Sequence, residues 1–143
     1  MNKRIIAIVL LLILLPVHCF AQTAVFVNGD EAEFKNETLI MNDRTVIPMR
    51  EMFEILGAEV EWLDSERVII ATKNNIIVVM KIGNYRLIRT DAETGENIVS
   101  ILDIAPQLVN DITYIPLRAV AESFDARVEW DDINKAVNVF LDE

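Results

Sequence analysis

The sequence predicts an α+β fold: an antiparallel β-sheet built from two pseudo-equivalent strand-helix-hairpin repeats, with two short helices packed on it. Three observations lead to this prediction. A related segment occurs twice, at residues 43–72 and 111–140. Short runs of β-branched and aromatic residues are bounded by turn residues. Each copy also contains one apolar stripe with helical spacing.

The two segments align without gaps at an offset of 68 residues and share eleven identical positions. Internal similarity at a fixed spacing is the signature of a repeated structural unit. Both tryptophans of the chain occupy equivalent positions. We call the following eight shared residues the motif residues: Pro48, Arg50, Trp62, Asp64, Pro116, Arg118, Trp130 and Asp132.

Each repeat begins with a strand that leads into a short helix. The residues before the motif prolines are β-branched or aromatic, and a proline suits the first position of a helix. The apolar stripes then predict helices over residues 48–56 and 116–124. Gly57 supplies a left-handed cap for the first helix. Asp125 stands in the equivalent place of the second, where an aspartate is tolerated less well than glycine.

A hairpin follows each predicted helix and contains the tryptophan. Alternation along a strand places Trp62 on the same side as Val60, and Trp130 on the same side as Val128. This is the side that must face the helices. We therefore expect both tryptophans to be largely buried.

Further strands are expected outside the repeats. Residues 76–80 form a continuous apolar run, and residues 85–89 and 97–101 flank a turn. Near the start, residues 24–27 and 32–34 bracket an Asn-Gly-Asp turn, which predicts a hairpin.

The N-terminal segment, residues 1–21, has the pattern of a secretory signal peptide. A basic start precedes an apolar run of about 11 residues, too short to span a bilayer, and small residues precede Gln22. An uncleaved anchor and lipidation at Cys19 are the disfavoured alternatives, the latter because His18 is a poor residue before a lipid-accepting cysteine. Residues 22–143 are predicted to form one domain, secreted or at the cell surface and not inserted in the membrane once the signal is cleaved.

Removal of the signal takes away the only histidine and the only cysteine. The remaining chain has no thiolate nucleophile, no imidazole base and no His or Cys metal ligand. It keeps 11 basic residues against 23 acidic ones, a net charge of −12. Such a charge repels phosphate backbones and anionic lipids, so we expect no nucleic-acid partner.

The sequence disfavours two other chemical sites. The acidic turn at residues 131–134 could attract calcium, but it lacks the alternating ligands of an EF-hand loop. Glu61 and Glu129 could be imagined as a glycosidase pair, but their strand positions should face solvent. We therefore predict no catalytic residue, no cofactor, no metal site and no enzymatic activity.

Arg50 and Arg118 lie in the first turn of the predicted helices, where a positive charge opposes the helix dipole. A compensating partner is expected nearby. The candidates are the glutamates one turn on, the motif aspartates, and the motif tryptophans as cation–π surfaces: Glu54, Glu122, Asp64, Asp132, Trp62 and Trp130. An ion pair that ties helix to hairpin is favoured over an arginine that anchors a ligand.

The motifs together resemble a known family. A Val-Asn-Gly near the start is followed by two copies of Ile-Pro-hydrophobic-Arg, a short helix and Ala-x-Val-Glu-Trp-x-Asp. This pattern resembles the copper amine oxidase N-terminal-like domain, or stalk domain, of exported bacterial proteins. The chain departs from the family's frequent Gly-Arg pair at residues 42–44 and 110–112, and has Asp125 for the usual glycine. The resemblance implies an α+β fold, an extracytoplasmic location and no catalytic role.

These observations favour a non-catalytic binding or stalk module of the bacterial envelope, which would engage wall glycan, a protein partner or its own copy. The alternative is a small secreted structural or inhibitor-like protein, and an enzyme of unrecognised type is the remote one. The apolar run at residues 76–80 must be covered on both sides. Wrapping within one chain is favoured over a second copy, with a weak symmetric dimer expected if an apolar face is left open.

Overall fold

The computed structural model describes residues 22–142, and the signal peptide expected over residues 1–21 lies outside them. The described chain forms mostly antiparallel sheets with two short helices, which agrees with the expected α+β class. The helices are α1 (Met49–Leu56) and α2 (Leu117–Ser123). The strands are β1 (Ala24–Val27), β2 (Asp30–Glu31), β3 (Leu39–Met41), β4 (Arg44–Pro48), β5 (Glu59–Leu63), β6 (Val68–Lys73), β7 (Ile76–Lys81), β8 (Arg86–Asp91), β9 (Asn97–Ile101), β10 (Gln107–Val109), β11 (Ile112–Pro116), β12 (Arg127–Asp131) and β13 (Ala136–Phe140).

The strands are divided among three sheets instead of lying in one antiparallel sheet. The central sheet has the order β10-β11-β4-β3, the five-stranded sheet β5-β6-β7-β8-β9, and the terminal sheet β12-β13-β1-β2. In the terminal sheet β1 runs parallel to β13. The strand ladders break where α1 and α2 begin, because Pro48 and Pro116 end their strands and lack the N–H needed to continue the pairing.

The central sheet joins the two related segments of the chain. Strands β4 and β11 pair antiparallel, with Ile47 directly opposite Ile115. Both isoleucines are fully buried. Helix α1 packs on β4, β11 and β5, and α2 packs on β4, β11 and β12. Each helix therefore rests on the central sheet and on the hairpin that follows it.

The main core lies between the helices and the inner faces of the sheets. The helical stripe predicted for α1 is buried, including Met49 and Met52. Phe53 meets Phe124 edge to face, with ring centroids 6.3 Å apart. Members of the same buried cluster come from the inner faces of β6, β7, β12 and β13. One core thus receives side chains from both related segments.

The helix boundaries differ slightly from the prediction. Pro48 and Pro116 are the last residues of their strands and the N-caps of α1 and α2, so each helix begins one residue later than expected. Gly57 caps α1 in the left-handed conformation, as predicted, with φ 69°. Asp125 adopts φ 62° at the equivalent place after α2.

Strands β3 and β10 were not predicted from the sequence. Each forms a hairpin with the next strand through an Asn-Asp turn, at residues 42–43 and 110–111. All four turn residues have positive φ. Asparagine and aspartate are the non-glycine residues that tolerate this conformation best. The family frequently has a glycine at this place. Because asparagine and aspartate also adopt positive φ, this chain keeps a tight two-residue turn without the glycine.

The N-terminal hairpin turns at Asn28 and Gly29, as predicted, but its second strand is β2 and not residues 32–34. Val27 pairs with Asp30, so the strand resumes directly after the two-residue turn. The chain then leaves the sheet, and the Lys35 amide and the Asn36 side chain both donate to Glu51 of α1. These contacts hold the segment against the helix instead of in the ladder.

Candidate functional site

Trp130 is partly exposed, which contradicts the prediction that both tryptophans are largely buried. Its exposed fraction is 46%, although Val128 on the same strand is 6% exposed. Trp62 is partly buried and packs against the core. Alternation fixes the side of the strand on which a side chain lies, but it does not determine what packs over that side. A groove, and not the core, lies beside Trp130.

The groove beside Trp130, here called the Trp130 groove, has a volume of about 910 Å³. One part of its lining comes from the start of α2 and the β12–β13 hairpin. Another part comes from the β3–β4 hairpin and the end of β9 with the segment that follows it. Its lining residues are Gln22, Thr23, Ala24, Ile40, Asp43, Arg44, Thr45, Ile101, Leu102, Asp103, Ile104, Pro116, Leu117, Arg118, Ala119, Glu122, Val128, Trp130, Asn134, Lys135 and Val137.

Exposed apolar side chains line the Trp130 groove. Ile40 is 50% exposed and Ile101 74% exposed, and both lie in the same lining as the half-exposed indole of Trp130. An exposed group of large apolar residues with a polar rim is typical of a binding surface. The groove can therefore offer a flat aromatic face with aliphatic side chains in the same lining.

The charged residues of the groove balance one another. Three basic residues, Arg44, Arg118 and Lys135, share the lining with three acidic ones, Asp43, Asp103 and Glu122. The Nε of Arg44 lies 2.8 Å from the Asp103 carboxylate, and the Nη1 of Arg118 lies 3.4 Å from that of Glu122. The groove is thus locally neutral, although the chain that follows the predicted signal peptide carries a charge of −12.

Arg118 connects α2 to the hairpin through a hydrogen bond to the backbone, and not through the expected ion pair between helix and hairpin. Its Nη1 donates to the carbonyl oxygen of Val128 at 2.9 Å. Its partner Glu122 is one of the predicted candidates, but both side chains of the pair are about half exposed. Arg50 is exposed, and within residues 22–142 no ion pair of Arg50 is found.

The motif aspartates interact with the motif tryptophans instead of with the arginines. The indole Nε1 of Trp62 donates to Asp64 at 3.2 Å. The hydrogen bond from Lys135 lowers the pKa of Asp132 most, and the nearby indole of Trp130 lowers it further. The shared Trp-x-Asp spacing therefore places an indole donor beside a carboxylate in both segments.

The acidic turn at residues 131–134 satisfies its own hydrogen bonds. The Asp131 carboxylate accepts from the amides of Ile133 and Asn134 and from the Asn134 side chain. These bonds lower the pKa of Asp131. Within residues 22–142, no three His, Cys, Asp or Glu side chains lie close enough together to hold a metal ion. Glu61 and Glu129 are both exposed.

Only one of the two related segments contributes its motif to the groove. Pro116, Arg118 and Trp130 line it, whereas the described lining includes none of the motif residues of the first segment. Sequence reasoning missed the residues from β3, β4 and the end of β9. No local signal places them there, because the pairing of β4 with β11 brings together residues far apart in the chain.

The fold and the groove define a small α+β domain that presents an open amphipathic surface. Among the described residues, no helix is both long and apolar enough to cross a membrane. The chain matches the model of the copper amine oxidase N-terminal domain over residues 26–139, and it belongs to that family. This family is the non-catalytic N-terminal domain of copper amine oxidases. A comparison with curated proteins returned no match to the chain.

The family name raises the question of copper. Copper sites in proteins rely on imidazole, thiolate and thioether ligands. Residues 22–142 contain no histidine or cysteine, and of their four methionines Met49, Met52 and Met80 are buried in the core. Met41 alone is partly exposed, and a single thioether does not make a copper site. The residues present do not fit a copper site.

Proposed function

We propose that the protein is a non-catalytic binding module of the bacterial cell envelope, exported by its N-terminal segment, and that the Trp130 groove binds an uncharged stretch of wall glycan. The observation that carries this proposal is the half-exposed indole of Trp130 in a neutral groove of an acidic protein. Membership of a non-catalytic family supports a binding role over an enzymatic one.

The chemistry of the groove suits a sugar. A pyranose ring has a face of C–H groups and a rim of hydroxyls. The indole of Trp130 and the side chain of Ile101 offer apolar surface for the face, since an aromatic side chain combines a large apolar area with specific geometry. Arg118 and Glu122 offer donors and acceptors for the rim. A few polar groups on a mostly apolar site are the usual composition of a small-molecule pocket.

The charge of the protein selects against competing ligands. The net charge of −12 on the chain that follows the predicted signal peptide repels phosphate-rich polymers and nucleic acids. The paired charges in the groove leave no excess positive charge to capture an anion. An uncharged, hydroxyl-rich ligand is therefore the best match.

We also propose that the two strand-helix-hairpin segments are copies of one ancestral unit. Eleven identical positions support this. The strands β3, β4 and β5 begin 68 residues before β10, β11 and β12, the same offset as in the sequence alignment. In this interpretation the second copy acquired the ligand surface while the tryptophan of the first copy stayed against the core.

Isothermal titration with a neutral N-acetylglucosamine oligosaccharide tests the glycan proposal. Trp130→Ala should weaken binding at least about tenfold, which corresponds to about 1.4 kcal/mol. Ile133→Ala is the matched control, because Ile133 is 92% exposed on the same hairpin and lies outside the described lining of the groove. Equal affinity in wild type and Trp130→Ala, or no binding by the wild type, would contradict the proposal.

A further inference from the structure

One face of the five-stranded sheet is left partly exposed. Along β7, Ile76, Val78 and Met80 are buried in the core. Ile77 and Val79 point to the opposite face and are partly exposed. One side of this apolar strand is therefore packed in the core, and we call the other side the outer face of the sheet.

An apolar row crosses the outer face. In the strand register, Ile70 lies opposite Val79, Val79 opposite Ile88, and Ile88 opposite Val99. Val99, on the edge strand β9, is 47% exposed. Side chains directly opposite one another on neighbouring strands are in contact range, so the row is a continuous apolar surface.

Two acidic and two basic residues border this row, and one of them, Glu61, lies at its end, opposite Ile70. Glu59 and Glu61 lie on the edge strand β5, toward one corner of the outer face. Lys81 and Arg86 lie on β7 and β8, at the end of the face opposite Glu59. All four are exposed, and within residues 22–142 none of them forms an ion pair.

We propose that the outer face binds the outer face of a second copy of this chain. Strands lie about 4.8 Å apart and rise about 3.4 Å per residue. With these spacings, a two-fold axis in the interface, inclined about 35° to the strands, lays Glu61 over Lys81 of the second copy. The same axis brings Glu59 to about 3 Å, in projection, from Arg86 of the second copy. The symmetry forms each contact twice, as an isologous interface requires.

The size of the face predicts a weak dimer. Five strands at these spacings, each contributing five residues, give a flat area of about 400 Å² per copy, against about 800 Å² per partner in a standard stable interface. The dimer should therefore form only at high protein concentration. None of the four charged residues belongs to the described lining of the Trp130 groove, although Ile101, opposite Arg86 in the register, does. The charge variants therefore test the dimer separately from the glycan proposal.

Sedimentation equilibrium tests the dimer. The protein is purified after its exporting host has cleaved the signal peptide, and it is measured at rising concentrations. Glu59→Lys/Glu61→Lys should raise the dimer dissociation constant at least about tenfold, because it places like charges together. Lys81→Glu/Arg86→Glu should do the same. An equal mixture of the two double variants should associate, because each face then meets its opposite charge.

Glu33→Lys/Glu54→Lys is the matched control, with the same charge change at exposed positions off the outer face. Both lysine variants lower the net negative charge by about four, which by overall repulsion alone would favour association. The proposal predicts weaker association for Glu59→Lys/Glu61→Lys and no weakening of association for the control. A wild type that stays monomeric up to millimolar concentration, or a dimer that neither outer-face variant weakens, would overturn it.

Discussion

Arg118 shows how the structure separates two residues that the sequence treats as equivalent. Its guanidinium donates to the Val128 carbonyl and so holds α2 to β12. Arg50 is exposed and has no ion pair within the described chain. The shared position predicted a shared role, but the contacts that a long side chain makes depend on the backbone groups within its reach.

We predict that Arg118→Ala lowers the free energy of unfolding by about 1 kcal/mol, the usual net value of one hydrogen bond. Arg50→Ala should cost less than about 0.5 kcal/mol, as expected of an exposed substitution. Urea denaturation of both variants measures the difference. Glu122→Gln is the control for the exposed ion pair and should be nearly neutral. An equal loss in Arg50→Ala and Arg118→Ala would show that the Val128 contact is not the cause.

The sequence identified the motif residues, but it did not predict their contacts or their exposure. The Trp-x-Asp spacing was visible in both segments, but the indole-to-carboxylate bond is a contact that only the folded hairpin reveals. The exposure of Trp130 could not be predicted either. It depends on a groove whose lining comes partly from Ile40, residues 43–45 and residues 101–104.

At the level of elements, Arg89 of β8 connects the five-stranded sheet to the end of α2. Its Nε donates to the Ser123 carbonyl at 2.8 Å, and its Nη2 donates to both carboxylate oxygens of Asp125. The arginine side chain is 18% exposed. The bond to Ser123 satisfies a helix carbonyl that has no partner within the helix. These contacts explain why an aspartate stands in a left-handed position that glycine usually occupies.

We predict that Arg89→Ala destabilises the protein by about 1–3 kcal/mol, the range for hydrogen bonds that involve a charged group. Asp125→Gly should cost less, because the loss of the ion pair is offset by relief of the left-handed backbone. Thermal denaturation of the two variants provides the comparison. Wild-type stability in Arg89→Ala, or a larger loss in Asp125→Gly, would contradict this role for Arg89.

The local pattern of apolar residues predicted the helices and the long strands, but it did not predict the short strands. The apolar stripe and the proline placed α1 within one residue of its observed bounds. Strands β3 and β10 were missed because each has three residues, too few to show alternation. Their Asn-Asp turns were the available signal, since two successive residues that tolerate positive φ mark a tight hairpin.

At the level of the whole molecule, the arrangement depends on pairings between distant segments. The sequence predicted the α+β class and most of the strands, but not their division into three sheets. The β4–β11 pairing and the parallel β1–β13 pairing join residues about 70 and 110 positions apart. Local propensity carries no information on such pairs. The Trp130 groove depends on these long-range pairings, whereas the outer face is built from the consecutive hairpins of the five-stranded sheet.

The Trp130 groove can be tested directly because the chain has two tryptophans and therefore two indole N–H signals. Titration of the ¹⁵N-labelled protein with a neutral N-acetylglucosamine oligosaccharide, followed by NMR, reports on both indoles in one sample. Glycan binding in the groove predicts that the Trp130 signal shifts and saturates while the Trp62 signal stays in place. Trp130→Phe assigns the two signals. Two unmoved indole signals at saturating sugar, or a shift confined to Trp62, would contradict binding of this glycan in the groove.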